Sequence, residues 1–380
     1  MAEAAYSKGL EGVIAAESKI CQIDGEQGKL FYLGYSINDL VEHCDFEEVT
    51  YLLLYGELPN IDQLEEFQGR MRESRELKSP IVKMIEDFPP KAQAMELLQS
   101  SVAYLSGYVE HVIQHSATCN CTTTLHQIVQ LAGVVAAYGR VREGKSYVPP
   151  RQDLSHGANF LYMLRGEEPD EFEGKAMDDA LILHAEHGFN ASTFTARVVA
   201  STISTCYSSI SAAIGALYGS LHGGANEKAM TMVEEIGEKA NAEAYVNNVL
   251  DQHGKIMGMG HRVYKAKDPR AVIIEDYLLE LSKRKNDMRY YEILKEVERV
   301  FRGRMEEKGK PIYPNVDFFS GAVYLLLGIP KYLFTPIFAV ARSAGWLAHI
   351  LEQREDNRLF RPRALYVGSE ERSFVRMADR

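Results

Sequence analysis

The stretch Asp45-Phe-Glu-Glu-Val-Thr-Tyr-Leu-Leu-Leu-Tyr-Gly-Glu-Leu-Pro59 decides the fold class. Asp45 followed three residues later by Glu48 is a capping box, in which each side chain satisfies an orphan N–H at a helix start. Residues 49–55 form the apolar run, Gly56 is the stop, and Pro59 cannot continue a helix. The same grammar recurs on either side. Ser79-Pro80 opens a helix that Pro89-Pro90 closes. Residues 95–105, 125–138, 178–187 and 271–283 repeat the three-to-four spacing of a buried helical face. Strand-like alternation is confined to residues 14–23 and 29–35. The expectation is a mostly α protein.

The 380 residues suffice for a large core and two lobes. Apolar residues make up 46% and charged residues 25%, an ordinary balance for a soluble globular chain. The net charge of −11 argues against nucleic acid or an anionic membrane as main partner. An anionic substrate therefore needs a locally basic site. No cationic, apolar leader follows Met1, and the longest apolar stretch, residues 318–340, is broken by Pro330, Lys331 and Pro336. Five sparse cysteines suggest a reducing cytoplasm, not a disulfide framework. Residues 192–220, rich in Ala, Ser, Thr and Gly, read as one long buried helix, either in the core or at a subunit contact of a two-fold dimer. The stretch from Ala225 to about Pro330 is more charged and reads as a separate lobe.

Two motifs mislead. Gly139-Arg-Val-Arg-Glu-Gly144-Lys145-Ser146 matches the phosphate-binding loop letter for letter. Such a loop must follow a strand and open a helix. Here a helical segment precedes it, and Pro149-Pro150 prevent a helix from running on. It is expected to be a helix end and a basic loop. His111, His115, Cys119 and Cys121 suggest zinc, but Cys-x-Cys is tighter than the usual spacing, and no metal is expected.

The chemistry lies in three segments: Leu221-His-Gly-Gly-Ala-Asn226, Gly258-Met-Gly-His-Arg-Val-Tyr-Lys265 and Pro314-Asn-Val-Asp-Phe318. Asp317 falls near a helix N-terminus, where free N–H groups favour the carboxylate. Taken alone, a plain cap is the simpler reading. His222 precedes a helix start, which disfavours the imidazolium, so a neutral donor and a buried structural histidine are equal readings. Around His261, Arg262, Lys265, Lys267 and Arg270 face a single Asp268, which suggests an anion site. Asp268-Pro269-Arg270 is a cap, a first-turn proline and an arginine at the next helical position. Gly258 and Gly260 leave bare backbone against which a flat group could lie. Arg342 and Arg361 add two more forks, and three arginines suit a dicarboxylate.

These residues, in this order, resemble the citrate synthase family over nearly the whole chain. The likeness extends to Gly9-Leu-Glu-Gly-Val13, Ile23-Asp-Gly25, residues 46–59, Ala158-Asn-Phe-Leu-Tyr-Met-Leu164 and residues 184–190. It also includes Ala344-Gly-Trp-Leu-Ala-His-Ile-Leu-Glu-Gln353 and Arg361-Pro-Arg-Ala-Leu-Tyr-Val-Gly368. The resemblance implies a two-domain helical fold, with residues 1–222 and 333–380 as the large domain and residues 223–332 as the small one. It implies a homodimer whose lobes close over oxaloacetate and then admit an acyl-CoA thioester as substrate, with no separate cofactor. By the same resemblance Asp317 is the base, His222 the enol-oxygen donor and His261 the acid. His187, Arg270, Arg342 and Arg361 would hold oxaloacetate, Arg361 from the other subunit. Lys255, Met257, Gly258, Met259, Gly260 and Lys265 would hold coenzyme A.

Two positions depart from the family pattern. Gln93-Ala-Met-Glu96 stands where many relatives have His-Pro-Met-Asp, and Phe319 where a tyrosine is frequent. The second bears on the acyl pocket, so 2-methylcitrate synthesis from propionyl-CoA is the alternative to citrate synthesis from acetyl-CoA. A chemically idle CoA-binding relative is a third reading, against which the intact His222, His261 and Asp317 stand. A nucleotide-hydrolysing protein is a fourth, against which the proline pair stands.

Overall fold

The computed structural model describes residues 6–109 and 121–380, with side chains in the second span from residue 124. The fold is mostly helical and has two domains. Of the zinc lookalike, His111, His115 and Cys119 lie outside the described residues, as does the side chain of Cys121. Among the described residues no group of three metal-ligating side chains occurs, and no helix is long and apolar enough to cross a membrane. Cys21, Cys44 and Cys206 are free thiols.

A small antiparallel sheet comes first: β1 (Cys21–Asp24), β2 (Lys29–Tyr32) and β3 (Tyr35–Ser36), with Cys21 opposite Tyr32 and Phe31 opposite Ser36. It is shorter than the two alternating stretches suggested. Helices α1 (Ile37–His43), α2 (Phe46–Tyr55), α3 (Ile61–Glu73), α4 (Ser79–Glu86) and α5 (Ala94–Leu105) follow. The Asp45–Glu48 box is present and Gly56 ends α2 in the left-handed region. Helix α6 (Cys121–Arg142) ends at the phosphate-loop lookalike. There Lys145 pairs with Glu143 (2.7 Å) and no helix follows. The match is a helix end and a loop.

Next come α7 (His156–Arg165) and α8 (Glu171–Ala185). Helix α8 stops two residues short of the expected end, at an extended Glu186. Residues 192–220 are not one helix. They form α9 (Ala191–Ala200) and α10 (Cys206–Tyr218), packed on each other. The break is set by Ile203 in the left-handed region and by Thr205, which caps α10 by accepting from the Ser208 N–H. Small residues allow the two helices to lie close together.

Helices α11 (Ala225–Ile236), α12 (Ala242–Asp251), α13 (Pro269–Arg284), α14 (Arg289–Glu306) and α15 (Val316–Leu326) pack chiefly on one another. They touch the rest where α13 meets α1 and α8 and where α11 meets α16 (Phe334–Glu355). Helix α16 is the centre of the larger group. It is buried over most of its length and contacts α2, α6, α8, α9 and α10. The end of α8, the starts of α9, α13 and α15, the middle of α16 and the turn before α11 supply the site.

Candidate active site

Asp268 organises one wall. It caps α13 by accepting from the Arg270 N–H (3.0 Å), and its other oxygen accepts from the Val316 N–H at the start of α15 (3.3 Å). One buried carboxylate therefore ties two helix N-termini together. Arg270 closes on the same group, Nε to Oδ1 at 3.0 Å and Nη2 to Oδ2 at 2.7 Å. Burial opposes its charge, but Asp268 outweighs that and raises its pKa. The expected basic cluster is thus largely neutralised: Lys267 binds Glu275 (2.7 Å) and Lys265 pairs with Glu26.

Asp317 is the second residue of α15. Its N–H is accepted by Asn315 Oδ1 (3.0 Å), so Asn315 is the cap and the carboxylate of Asp317 is released from that duty. Burial pushes its pKa up to about 6, against the pull of Arg270. A carboxylate so raised is a stronger base than an exposed aspartate.

The two histidines are fixed in opposite tautomers. His261 Nδ1 accepts from the N–H groups of Val263 (3.0 Å) and Tyr264 (3.2 Å), so the ring hydrogen is on Nε2. His222 Nε2 accepts from the Ser192 N–H (3.2 Å), so its hydrogen is on Nδ1. Ser192 Oγ lies 2.8 Å from the same nitrogen and accepts from Trp346 Nε1 (3.2 Å). Burial lowers both pKa values to about 4, helped by Arg342 at His222 and by Arg270 at His261. Both rings are neutral at pH 7. For His222 burial does this, where the sequence pointed to the helix start.

His187 follows α8. Its ring meets that of His261 edge-on at 5.1 Å, and its Nε2 lies 3.2 Å from the Tyr264 hydroxyl. Burial, with Arg270 and Arg342, pulls its pKa well down. Arg342 enters from α16. Its Nε donates to the His184 carbonyl (2.7 Å), and its guanidinium lies over the Phe338 ring (4.6 Å). Arg270 and Arg342 both act on His187 and on Asp317, Arg342 acts on His222 and Arg270 on His261, so six of the sequence-selected side chains converge.

Other residues take different places. Arg361 does not join the cluster: it is exposed on the tail, lining a cavity of about 1200 Å³ with Phe194, Arg197 and Glu352. The segment of Lys255, Met257, Gly258, Met259, Gly260 and Lys265 leads into the site, with both lysines exposed. Gly258 is not bare backbone for a ligand. A Cβ there would meet the Phe318 Cα at 2.7 Å, and φ is 76°, so α15 itself requires the glycine. Phe319 packs on Phe318 and beneath Lys267 and is fully buried. Sequence reasoning missed Ser192, Tyr264, Asn315 and Glu186. Only Asn315 was legible, because Asn two residues before an acidic first turn is a cap signal.

The family model described as "Citrate synthase, C-terminal domain" matches residues 9–363. The chain is 44% identical to a citrate synthase of Deinococcus radiodurans over 98% of this chain and 99% of that one. It is 38% identical to a citrate/2-methylcitrate synthase of Bacillus subtilis, over 96% of each. The fold superposes with a TM-score of 0.92 and 35% identity on citrate synthase from Thermoplasma acidophilum. That structure is a ternary complex with carboxymethyl coenzyme A and oxaloacetate, and the match covers 99% of this chain and 100% of that one. A likeness of this extent, in sequence and in fold alike, makes the chain a member of the citrate synthase family.

Proposed function

We propose that this protein condenses acetyl-CoA with oxaloacetate and hydrolyses the product thioester, giving citrate and coenzyme A. The observation that carries this reading is the pair of opposed tautomers beside a raised carboxylate. Asp317 takes a proton from the thioester methyl group. The Nδ1–H of His222 donates to the enol oxygen as charge develops there, and being neutral it is matched to an enol. The Nε2–H of His261 gives its proton to the oxaloacetate ketone oxygen as the new carbon–carbon bond forms. Water then cleaves citryl-CoA in the same site. His187, Arg270 and Arg342 hold oxaloacetate, and a partner subunit supplies Arg361. The segment from Lys255 to Lys265 receives coenzyme A. The small domain, residues 223–332, closes on the large one and excludes water until hydrolysis. We place the homodimer in the cytoplasm.

A second reading, 2-methylcitrate synthesis from propionyl-CoA, is favoured by the Bacillus subtilis relative that carries both names. One methylene is worth only about 1–3 kcal/mol of discrimination, so the two activities differ by degree. The test is release of free thiol with oxaloacetate and either thioester, compared as kcat/KM. Release with acetyl-CoA at the higher kcat/KM supports the first reading. Preference for propionyl-CoA supports the second. No release with either overturns both.

A further inference from the structure

Glu186 is fully buried beside the oxaloacetate-holding residues, and no step above uses it. Its backbone is pinned at both ends by one hydroxyl: Tyr32 accepts from the Glu186 N–H (3.2 Å) and donates to its carbonyl (2.8 Å). Its Oε1 accepts from the Gly188 N–H (2.5 Å) and from His349 Nε2 (3.1 Å). The tautomer of His349 is fixed from behind. Its Nδ1 lies 3.1 Å from Arg197 Nη1, which can only donate, so the ring hydrogen faces Glu186. Arg197 is held in turn by Glu352 (2.5 Å) and Gln353 (3.1 Å).

The geometry is specific. Gly188, in the left-handed region, turns the chain immediately after His187, and its N–H is held by Glu186. Helix α16 passes Gly345 over the carboxylate so closely that a Cβ would lie 2.3 Å from Glu186 Oε2. The carboxylate also partly offsets the burial of Arg342 by its charge, while the Arg342 Nε is committed to the His184 carbonyl. The arginine's terminal nitrogens meet no acceptor among the described residues. A buried carboxylate without a full set of partners is costly, and its retention needs a purpose.

We propose that Glu186 is a positioning residue for oxaloacetate: it fixes the His187–Gly188 turn and balances Arg342 without occupying its fork, while His349 and Arg197 hold it in register. This rests on the reading of His187 and Arg342 as the oxaloacetate site. The experiment is steady-state thiol release by the full chain, with KM taken separately for oxaloacetate and for acetyl-CoA. Glu186→Ala is expected to raise the oxaloacetate KM by about tenfold or more, since small misplacements in a site are expensive. The acetyl-CoA KM should change by less than about twofold. Glu186→Gln keeps an acceptor oxygen towards Gly188 and His349 but not the charge near Arg342, and is expected to recover part of that loss. An oxaloacetate KM equal to wild type in folded Glu186→Ala overturns the proposal, as does a loss confined to kcat. If Glu186→Ala does not fold, His349→Phe removes only the donor to Oε1. An oxaloacetate KM raised there by about threefold supports the proposal, and an unchanged KM overturns it. Wild-type protein that releases no thiol overturns the proposed function instead, so the two failures are distinct.

Discussion

Asp317 shows how the demands on a proposed base and on a stable fold pull apart. Its pKa of about 6 is raised by burial. A carboxyl raised in the folded state stabilises the fold below its unfolded value, and that stability is lost as pH rises through about 6. Removing the charge should therefore help the fold at pH 8 and not at pH 3.5. Asp317→Asn is expected to gain about 1–3 kcal/mol at the higher pH only, measured by thermal unfolding at both. The same variant should lose at least about a thousandfold in kcat while still binding oxaloacetate. Equal turnover would remove Asp317 as the base. In the wild type, kcat/KM should rise with pH as one proton leaves near pH 6, with no further step from His222 or His261, which stay neutral down to about 4. An acid limb centred well away from 6 would contradict that assignment. These three side chains were legible because glycine or proline flanks each of them and announces a chain end. Their protonation was not legible: Ser192 and the amides of Val263 and Tyr264 choose the tautomers, and Ser192 stands thirty residues from His222.

At the scale of elements, caps and stops carried most of the reading. Asp45, Gly56, Asp268 and Pro269 did what such residues do anywhere. Residues 192–220 defeated the periodicity because a tight turn at Ile203 leaves helical spacing on both sides. Gly345 in α16 gives the sharpest test of packing over propensity. Gly→Ala in a helix interior ordinarily gains about 1 kcal/mol. Here the added carbon would lie 2.3 Å from the Ala185 carbonyl oxygen as well as from Glu186, and backbone must move. Gly345→Ala is expected to destabilise by about 2 kcal/mol or more in denaturant titration, reversing the usual sign. A gain in stability would show that α16 has room to shift. Lys145→Ala, in the loop after α6, should leave kcat/KM within about twofold, since its ammonium only meets Glu143.

At the scale of the whole molecule, one subunit holds every proposed group except Arg361, which sits on an exposed tail. That tail and the N-terminal segment also expose Ile14, Leu365, Tyr366, Val367 and Phe374. In the proposed homodimer a second copy would cover such surface. If Arg361 acts across the dimer, Arg361→Ala and Asp317→Asn chains, each inactive alone, should regain activity when unfolded and refolded together. Each mixed dimer would contain one intact site, so about a quarter of wild-type activity is expected from random pairing. No recovery, with mixed dimers demonstrated, would assign Arg361 to its own subunit. No periodicity within one chain announces such a contribution, because it depends on where a neighbour lies. The folded molecule also carries a single indole, Trp346, hydrogen-bonded through Ser192 to the His222 ring. All tryptophan light from this protein therefore originates beside the imidazole proposed as the enol donor. Protonated imidazole quenches indole emission, so fluorescence should dim as pH falls through about 4 and should not dim there in His222→Asn. The protein would then report the charge of the His222 ring optically, with no substrate present and no label attached.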